Sequence, residues 1–338
     1  MTTPLTASSE GDRDSNAGKP AYICALAVTF NPDPERLRAV LAAIAPQVQA
    51  VLVVDNGSAR SPADDLRGAA GGNAHLLCLG DNTGIACAQN LGLAWARAQG
   101  ATHVLTLDQD AVAPPGMVAA LLGEMVAREA RGERVAAVGP LVSDPRRASV
   151  APFFRIAPIG MHRITAPDPG EPSARVDFLI SAGSLIRLQA LDEIGEMDEA
   201  LFIDYVDLEW CMRATHRGYR LYGHYGTRID HRLGEEPLRF LGRRFMNHSP
   251  LRHYYMARNA LALWRMPHAR PGWIVFDMFA ACVRLVVFGI AAPQRVGHLR
   301  MMLRGFADAL GGRYGRQDQA ATGWRVPEQT RRRLPQRL

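Results

Sequence analysis

Two carboxylates one residue apart, Asp108 and Asp110, close the short apolar run Leu105-Thr106-Leu107. On extended backbone, residues i and i+2 project to the same side, so both acids can reach one ligand. Paired carboxylates beside a phosphate ester hold a divalent cation that keeps some of its waters. Asp-x-Asp alone is a weak signal, because a solvated loop carries two acids by chance often enough. A second acidic group follows in Phe202-Ile203-Asp204-Tyr205-Val206-Asp207-Leu208-Glu209-Trp210. A carboxylate that reaches a hydroxyl can take its proton. Asp204 and Asp207 share a face if this segment is helical. Acids also favour a helix N-terminus for electrostatic reasons alone. Glu209 and Arg213, four apart, read as a surface ion pair. His231 follows Ile229-Asp230; a lone histidine is more often hydrogen-bonded than ligating. Arg252 and Arg258 lie in a basic, aromatic stretch. Arginine matches a diphosphate bidentately, although helix packing with arginine on the wet face is the plainer reading.

The elements that must position these residues can be read from apolar runs and their stops. Ile23 to Phe30 is a strand ending at Asn31-Pro32-Asp33-Pro34, and Leu37, Val40, Leu41, Ile44 and Val48 then recur at helical spacing. Ala50 to Val54 ends at Asp55-Asn56-Gly57-Ser58. His75 to Leu79 ends at Gly80-Asp81-Asn82-Thr83-Gly84. A helix follows to about Gln99, with Gly100 as its C-cap. Thr102 to Leu107 is the fourth strand, and Pro114-Pro115 prevents its continuation. Strands alternating with helices predict an α/β fold with a mainly parallel, doubly wound sheet. Such sheets bind ligands beyond the carboxyl ends of their strands, where the polar residues fall here. Val135 to Val138 is a further strand, and the Pro- and Arg-rich stretch to Pro172 shows no readable organisation. The run from Val176 to Ile186 is broken by Ser181-Ala182-Gly183-Ser184, which lets backbone or ligand approach. Gly218 ends the acidic helix, and Tyr219 to Tyr222 is a strand leading to Ile229.

The chain has 338 residues, 48% hydrophobic and 21% charged, an ordinary globular balance. The net charge is +6, and Lys19 is the single lysine. Five scattered cysteines with no Cys-x-x-Cys point to reduced structural thiols rather than zinc. Residues 1–20 lack an apolar core, so they are expected to be disordered and not a signal peptide, with the body cytoplasmic. No Gly-x-Gly-x-x-Gly follows the first strand and no P-loop occurs, which disfavours dinucleotide dehydrogenases and P-loop phosphotransferases.

Five segments occur in an order that resembles family 2 glycosyltransferases. They are Val28-Thr29-Phe30-Asn31-Pro32, Val53-Val54-Asp55-Asn56-Gly57-Ser58, Asn82-Thr83-Gly84, Leu107-Asp108-Gln109-Asp110 and the segment from Phe202 to Trp210. The likeness covers roughly Ala21 to Asn259 and is nearest to the bacterial rhamnosyltransferase branch. It implies a GT-A fold, a nucleotide-sugar donor, Mg²⁺ or Mn²⁺, and inversion at the anomeric carbon. Carried over by position, it puts Thr29, Asn31 and Asp55 in the nucleoside pocket, with Asn82 and Gly84 on its far side. Asp108 would lie near ribose and metal, Asp110 would ligate the metal, and His231 would complete the metal or diphosphate shell. Arg252 or Arg258 would clamp the diphosphate. Asp207 would be the general base. Val206 stands where an acid often precedes that base, so Asp204 and Glu209 stay open as alternatives.

The expected organisation is therefore a disordered 1–20, a GT-A catalytic domain over 21–235, and a helical, basic C-terminal region over 236–338. Trp273 to Ala292 is nearly all apolar, interrupted by Asp277 and Arg284. It suits a helix in the membrane interface beside a basic tail (Arg325 and Arg331-Arg332-Arg333 included), or a homo-oligomer contact. The functional expectation is transfer of L-rhamnose from dTDP-L-rhamnose to a lipid-linked or polysaccharide acceptor, without nucleic acid. Alternatives are a UDP-sugar donor, a nucleotidyltransferase, or a non-catalytic basic binding protein.

Overall fold

The computed structural model describes residues 20–69, 72–146, 149–231, 238–319 and 321–322. The first half alternates as the apolar periodicity requires. It comprises β1 (Ile23–Thr29), α1 (Pro34–Ile44), β2 (Ala50–Asp55), α2 (Ala63–Ala69), β3 (Ala74–Cys78), α3 (Ile85–Ala98) and β4 (His103–Asp108). Each strand ends within one residue of its expected end. α1 starts where Asp33 accepts hydrogen bonds from the Glu35 and Arg36 amides and Pro34 takes the first turn.

The second half adds α4 (Met117–Ala130), β5 (Val135–Asp144), β6 (Ser149–Ala151), β7 (Phe153–Ile156), β8 (Met161–Ile164), β9 (Ser173–Val176), β10 (Ser184–Arg187), α5 (Leu188–Ile194), α6 (Val206–His216) and β11 (Arg220–Asp230). After it come β12 (Leu238–Phe240), β13 (Arg243–Phe245), α7 (Pro250–Trp264), α8 (Pro271–Ala291), α9 (Arg295–Leu310), β14 (Arg313–Tyr314) and β15 (Ala321–Thr322).

Among the described residues the main sheet runs β3-β2-β1-β4-β10-β5-β11-β9, with β6 on β5. The β3-β2-β1-β4 half is parallel throughout. β10 lies antiparallel between β4 and β5, and β11 is parallel to β5. The strands are buried on both faces, which is why they read as unbroken apolar runs. Along β1, Cys24 and Leu26 join the layer formed with α3, α5 and α6, while Ala25 and Ala27 join the layer formed with α1 and α4.

Several expectations need correction. The strand at Val135 continues to Asp144, and the one near Tyr219 is the front of an eleven-residue strand. The run from Val176 to Ile186 is not one strand. It leaves β9, turns at Gly183 (φ +89°), and re-enters as β10 in the opposite direction to β4. The unreadable stretch to Pro172 carries β6 and the β7–β8 hairpin. Asp204 lies outside α6 and so shares no helix face with Asp207. Glu209 is buried, not a surface partner: it pairs with Arg213 at 2.7 Å and His268 at 3.0 Å. Asp277 in α8 is buried and accepts hydrogen bonds from Tyr205 Oη and Trp264 Nε1. Residues 1–19, Leu233-Gly234, Arg325 and Arg331-Arg332-Arg333 lie outside the described residues.

Candidate active site

The ends of neighbouring strands build the site in two adjoining clusters. In the first, Thr29 and Asp55 face each other across β1 and β2. The buried Asp55 carboxylate accepts from Thr29 Oγ1 at 3.1 Å and from the Ser58 amide at 3.2 Å. Asn31, exposed and at φ +48°, accepts from the Ala59 amide and donates its own amide to Ser58 Oγ. The loop after β2 is thus folded onto the end of β1. Beside it, Asn56 Nδ2 donates to Asn82 Oδ1 at 3.2 Å, and Asn82 Oδ1 also accepts from the Gly84 amide at 3.0 Å. Gly84 has φ +88°, and a Cβ there would sit 2.6 Å from the Phe202 ring. Only glycine admits both that backbone and that contact.

The second cluster is acidic. His231 Nε2 lies 3.2 Å from Asp108 Oδ2 and 3.3 Å from Asp110 Oδ1. The register explains the meeting. Val112 and Asp230 exchange backbone hydrogen bonds, and the His231 amide donates to Ser143 O. These bonds carry the end of β11 across to the residues just after β4. Burial pulls the His231 imidazolium down, but the hydrogen bond to Asp110 and the charges of Asp108, Asp110 and Asp144 more than offset it, and its pKa is raised. Burial raises Asp108 as well, against the pull of His231 and Ser181. Gln109 turns the other way and accepts the Phe30 amide at 2.9 Å, tying this cluster to the first.

Ser181 joins Asp108 to Asp207. Its Oγ donates to Asp108 Oδ1 at 3.1 Å and its amide donates to Asp207 Oδ2 at 3.0 Å. The sequence marked this position only as a small-residue break in an apolar run. Asp207 opens α6, and burial, then the nearby Asp108 charge, push its carboxyl up to about 7.

Its neighbours are engaged elsewhere. Asp204 is held by Arg252, Nη2 to Oδ1 at 2.9 Å and Nε to Oδ2 at 3.1 Å. The turn before α6 has Phe202, Asp204 and Tyr205 all at φ 63–64°, a backbone that side-chain-bearing residues rarely adopt. Asn259 Nδ2 reaches the carbonyls of Leu201 and Ile203 at 2.8 Å and of Asp204 at 3.0 Å. Arg258, fully buried, donates to Gly315 O at 2.5 Å and Leu201 O at 2.9 Å. Arg258 therefore does not join the acidic cluster. Its guanidinium is occupied by carbonyls, which corrects the expectation that it clamps a diphosphate. Arg252 lies beside the cluster through Asp204.

Two observations bear on a divalent cation. Two carboxylates and an imidazole converge, and the buried His231 Nδ1 has no hydrogen-bond partner among the described residues. Among the described residues no group of three His, Cys, Asp or Glu side chains is placed to hold a metal ion by itself. Mg²⁺ seldom occupies an all-protein cage; one or two carboxylates plus substrate phosphates are its usual shell. The donor set fits such a shared site. A cavity of about 200 Å³ is lined by Phe153, Phe154, Phe178, Leu179 and Ile180, and by Ala182 and Ser184 from the turn that carries Ser181.

Glycosyl transferase family 2 matches residues 24–194. A curated relative, dTDP-rhamnosyl transferase RfbF of Shigella flexneri, is 28% identical over 297 residues, covering 86% of this chain and 98% of that protein. Among solved structures, GalNAc-T7 with UDP, GalNAc and Mn²⁺ superposes with a TM-score of 0.51 at 13% identity, over 78% of this chain and 54% of that one. This chain thus spans about half of that solved protein, and the likeness is one of fold. S. aureus TarS residues 1–349 superpose with a TM-score of 0.49 at 14% identity, over 85% of this chain and 81% of that one.

Proposed function

The chain belongs to glycosyl transferase family 2, and from that premise we propose that it is a metal-dependent, inverting rhamnosyltransferase. It moves L-rhamnose from dTDP-L-rhamnose to a lipid-linked or polysaccharide acceptor of a surface glycan. The observation that carries the reaction type is the meeting of Asp108, Asp110, His231, Ser181 and Asp207 at the strand ends. The choice of rhamnose rests on the likeness to the Shigella transferase.

Thr29, Asn31, Asp55, Asn82 and Gly84 shape the nucleoside pocket in this reading. Asp55, an acceptor-only group, takes an N–H of the base. Asp110 and His231 would hold Mg²⁺ or Mn²⁺, and Asp108 would lie near the ribose and that cation. The cation, when bound, neutralises charge on the departing diphosphate. Arg252, kept in place by Asp204, supplies further positive charge to the diphosphate.

Asp207 is the general base. Arg252 occupies Asp204, while Arg213 and His268 occupy Glu209, which leaves Asp207 as the acid with capacity to spare. Ser181 fixes one Asp207 oxygen through its amide. The other oxygen accepts the proton of the acceptor hydroxyl as that hydroxyl attacks the anomeric carbon. The sugar–phosphate bond breaks on the opposite face, which inverts the centre. Position matters more than basicity here, because the acceptor must come within hydrogen-bond reach.

A panel of nucleotide sugars, dTDP- and UDP-linked, tests this through released nucleotide in the presence of Mn²⁺. Turnover is expected with dTDP-L-rhamnose. Faster release from a UDP-sugar moves the donor assignment, and no release from any of them overturns the reading.

A further inference from the structure

Helix α8 keeps one side on the protein and leaves the other bare. Trp273, Ala281, Val287 and Phe288 are buried, whereas Val275, Phe279, Val286 and Ile290 are 51%, 71%, 55% and 60% exposed. The exposed four recur at steps of four and seven, so they form one line along the helix. A bare apolar line of this length is unusual on a soluble surface and marks an interaction site.

Charge decides what covers it. The described residues of β12–β13, α8 and α9 contain two carboxylates, Asp277 and Asp308, and both are buried. Exposed on the same elements are Arg239, Arg243, Arg244, Arg295 and Arg300. The β12–β13 hairpin packs on α8 through Leu238, Phe240 and Phe245. Its tip, Leu241, is 85% exposed between these arginines. Exposed apolar side chains accompanied by exposed cations, with no exposed acid among the described residues of these elements, complement an anionic bilayer.

A row of aromatic rings links this face to the site. Phe276 lies 5.7 Å from Trp273, Trp273 lies 6.0 Å from Phe178, and Phe178 stacks on Phe154 at 5.7 Å. Phe178 and Phe154 line the cavity whose wall includes Ile180, Ala182 and Ser184, the chain neighbours of Ser181. α8 is long and apolar enough to cross a membrane. A crossing would strip Asp277 from Tyr205 and Trp264 and unpack the buried side, so the helix lies along the surface.

We propose that α8 and the β12–β13 hairpin seat the enzyme flat on an anionic lipid bilayer, so that a lipid-linked acceptor enters along the aromatic row. The docking stands on this surface alone; only the acceptor's route rests on the transferase reading. The full chain is sedimented with vesicles of phosphatidylcholine, with or without phosphatidylglycerol. Pelleting is expected with the anionic vesicles and should fall about tenfold in Phe279→Glu and in Arg243→Glu/Arg244→Glu, since each removes one of the two attractions. These residues lie outside the site, so the thermal shift given by thymidine diphosphate with Mn²⁺ should stay at its wild-type value. Should Phe279→Glu fail to fold, the arginine variant decides. Equal binding to both vesicle types, no pelleting, or variants that pellet like the wild type would overturn the docking. So would a wild-type dimer that Phe279→Glu converts to monomer without changing vesicle binding, because a second copy then covers the face. Pelleting without any nucleotide-dependent shift would instead sink the transferase reading and leave the docking intact.

Discussion

Replacing Asp207 by asparagine separates two consequences of the same burial. In the free enzyme the carboxyl is pushed up to about 7 by burial and by Asp108, against an ordinary value of ~4. Between those limits the folded chain binds more protons than the unfolded chain, so stability falls as pH rises from about 4 to about 7. Below that window both states are protonated and the group contributes no slope. At ~1.4 kcal/mol per decade the ceiling is ~4 kcal/mol. Asp207 keeps partial solvent exposure, and screening reduces the expected gain to about 1–2 kcal/mol. Asparagine keeps an oxygen for the Ser181 amide and removes the charge beside Asp108. Asp207→Asn should therefore melt with the wild type near pH 3 and about 1.5–3 °C above it at pH 8. Thermal unfolding in EDTA across that range is the assay. Transfer should fall by about 10²–10⁴-fold, the usual worth of a general base, while the thermal shift given by dTDP with Mn²⁺ persists. A variant no more stable than wild type at pH 8 refutes the burial argument. Undiminished transfer refutes the assignment of the base.

Three other substitutions probe the rest of the site. Asp110→Ala should abolish turnover and the Mn²⁺-dependent part of the dTDP thermal shift; metal-dependent binding that survives would dissociate Asp110 from the cation. Asn259→Ala removes a donor shared by three carbonyls and should cost about 2–3 kcal/mol in urea unfolding. It should also lower kcat more than it raises KM, because the turn that aims Asp207 loosens; an equal loss in both would assign Asn259 to substrate binding. Gly84→Ala should destabilise by at least ~1–2 kcal/mol, since alanine meets Phe202 and takes an unfavourable φ, and a neutral outcome in thermal melts would contradict the packing described.

The parallel half of the sheet was legible because its signals are local. Apolar runs, Asn-Pro and Asp-Asn-Gly stops and helical spacing lie within a few residues of the elements they define. The same is true of Thr29, Asp55 and Asp108, which sit at the strand ends those signals mark. Ser181 was not legible as a bridge, because its two partners come from β4 and α6 and nothing in Ser181-Ala182-Gly183 names them. The reversal of β10 was hidden for a related reason: a strand buried between two others has the same composition in either direction. Asp204 misled because three-residue spacing implies a helix face, whereas the helix begins at Val206. Arg258 misled because an arginine in a basic stretch reads as solvated, and only the fold reveals carbonyls waiting for it.

The C-terminal helices hold the strained turn that precedes α6. Three residues of the turn before α6, Phe202, Asp204 and Tyr205, hold a backbone that costs on the order of 1–3 kcal/mol apiece. Such a turn persists only where its surroundings over-determine it. Here the surroundings are Asn259 and Arg258 on its carbonyls, the Ile85 amide on Phe202 O at 2.7 Å, and Asp277 on the Tyr205 hydroxyl. Those contacts come from α7, α3 and α8, so the strain is offset from outside the sheet. Asp207 follows the turn directly and inherits its direction. The orientation of Asp207 is thus set partly by α7 and α8, and α8 also carries the apolar face. An event at that face has a short mechanical path to Asp207 through Asp277 and Tyr205, which in the proposed reaction gives the C-terminal region a part beyond that of Arg252.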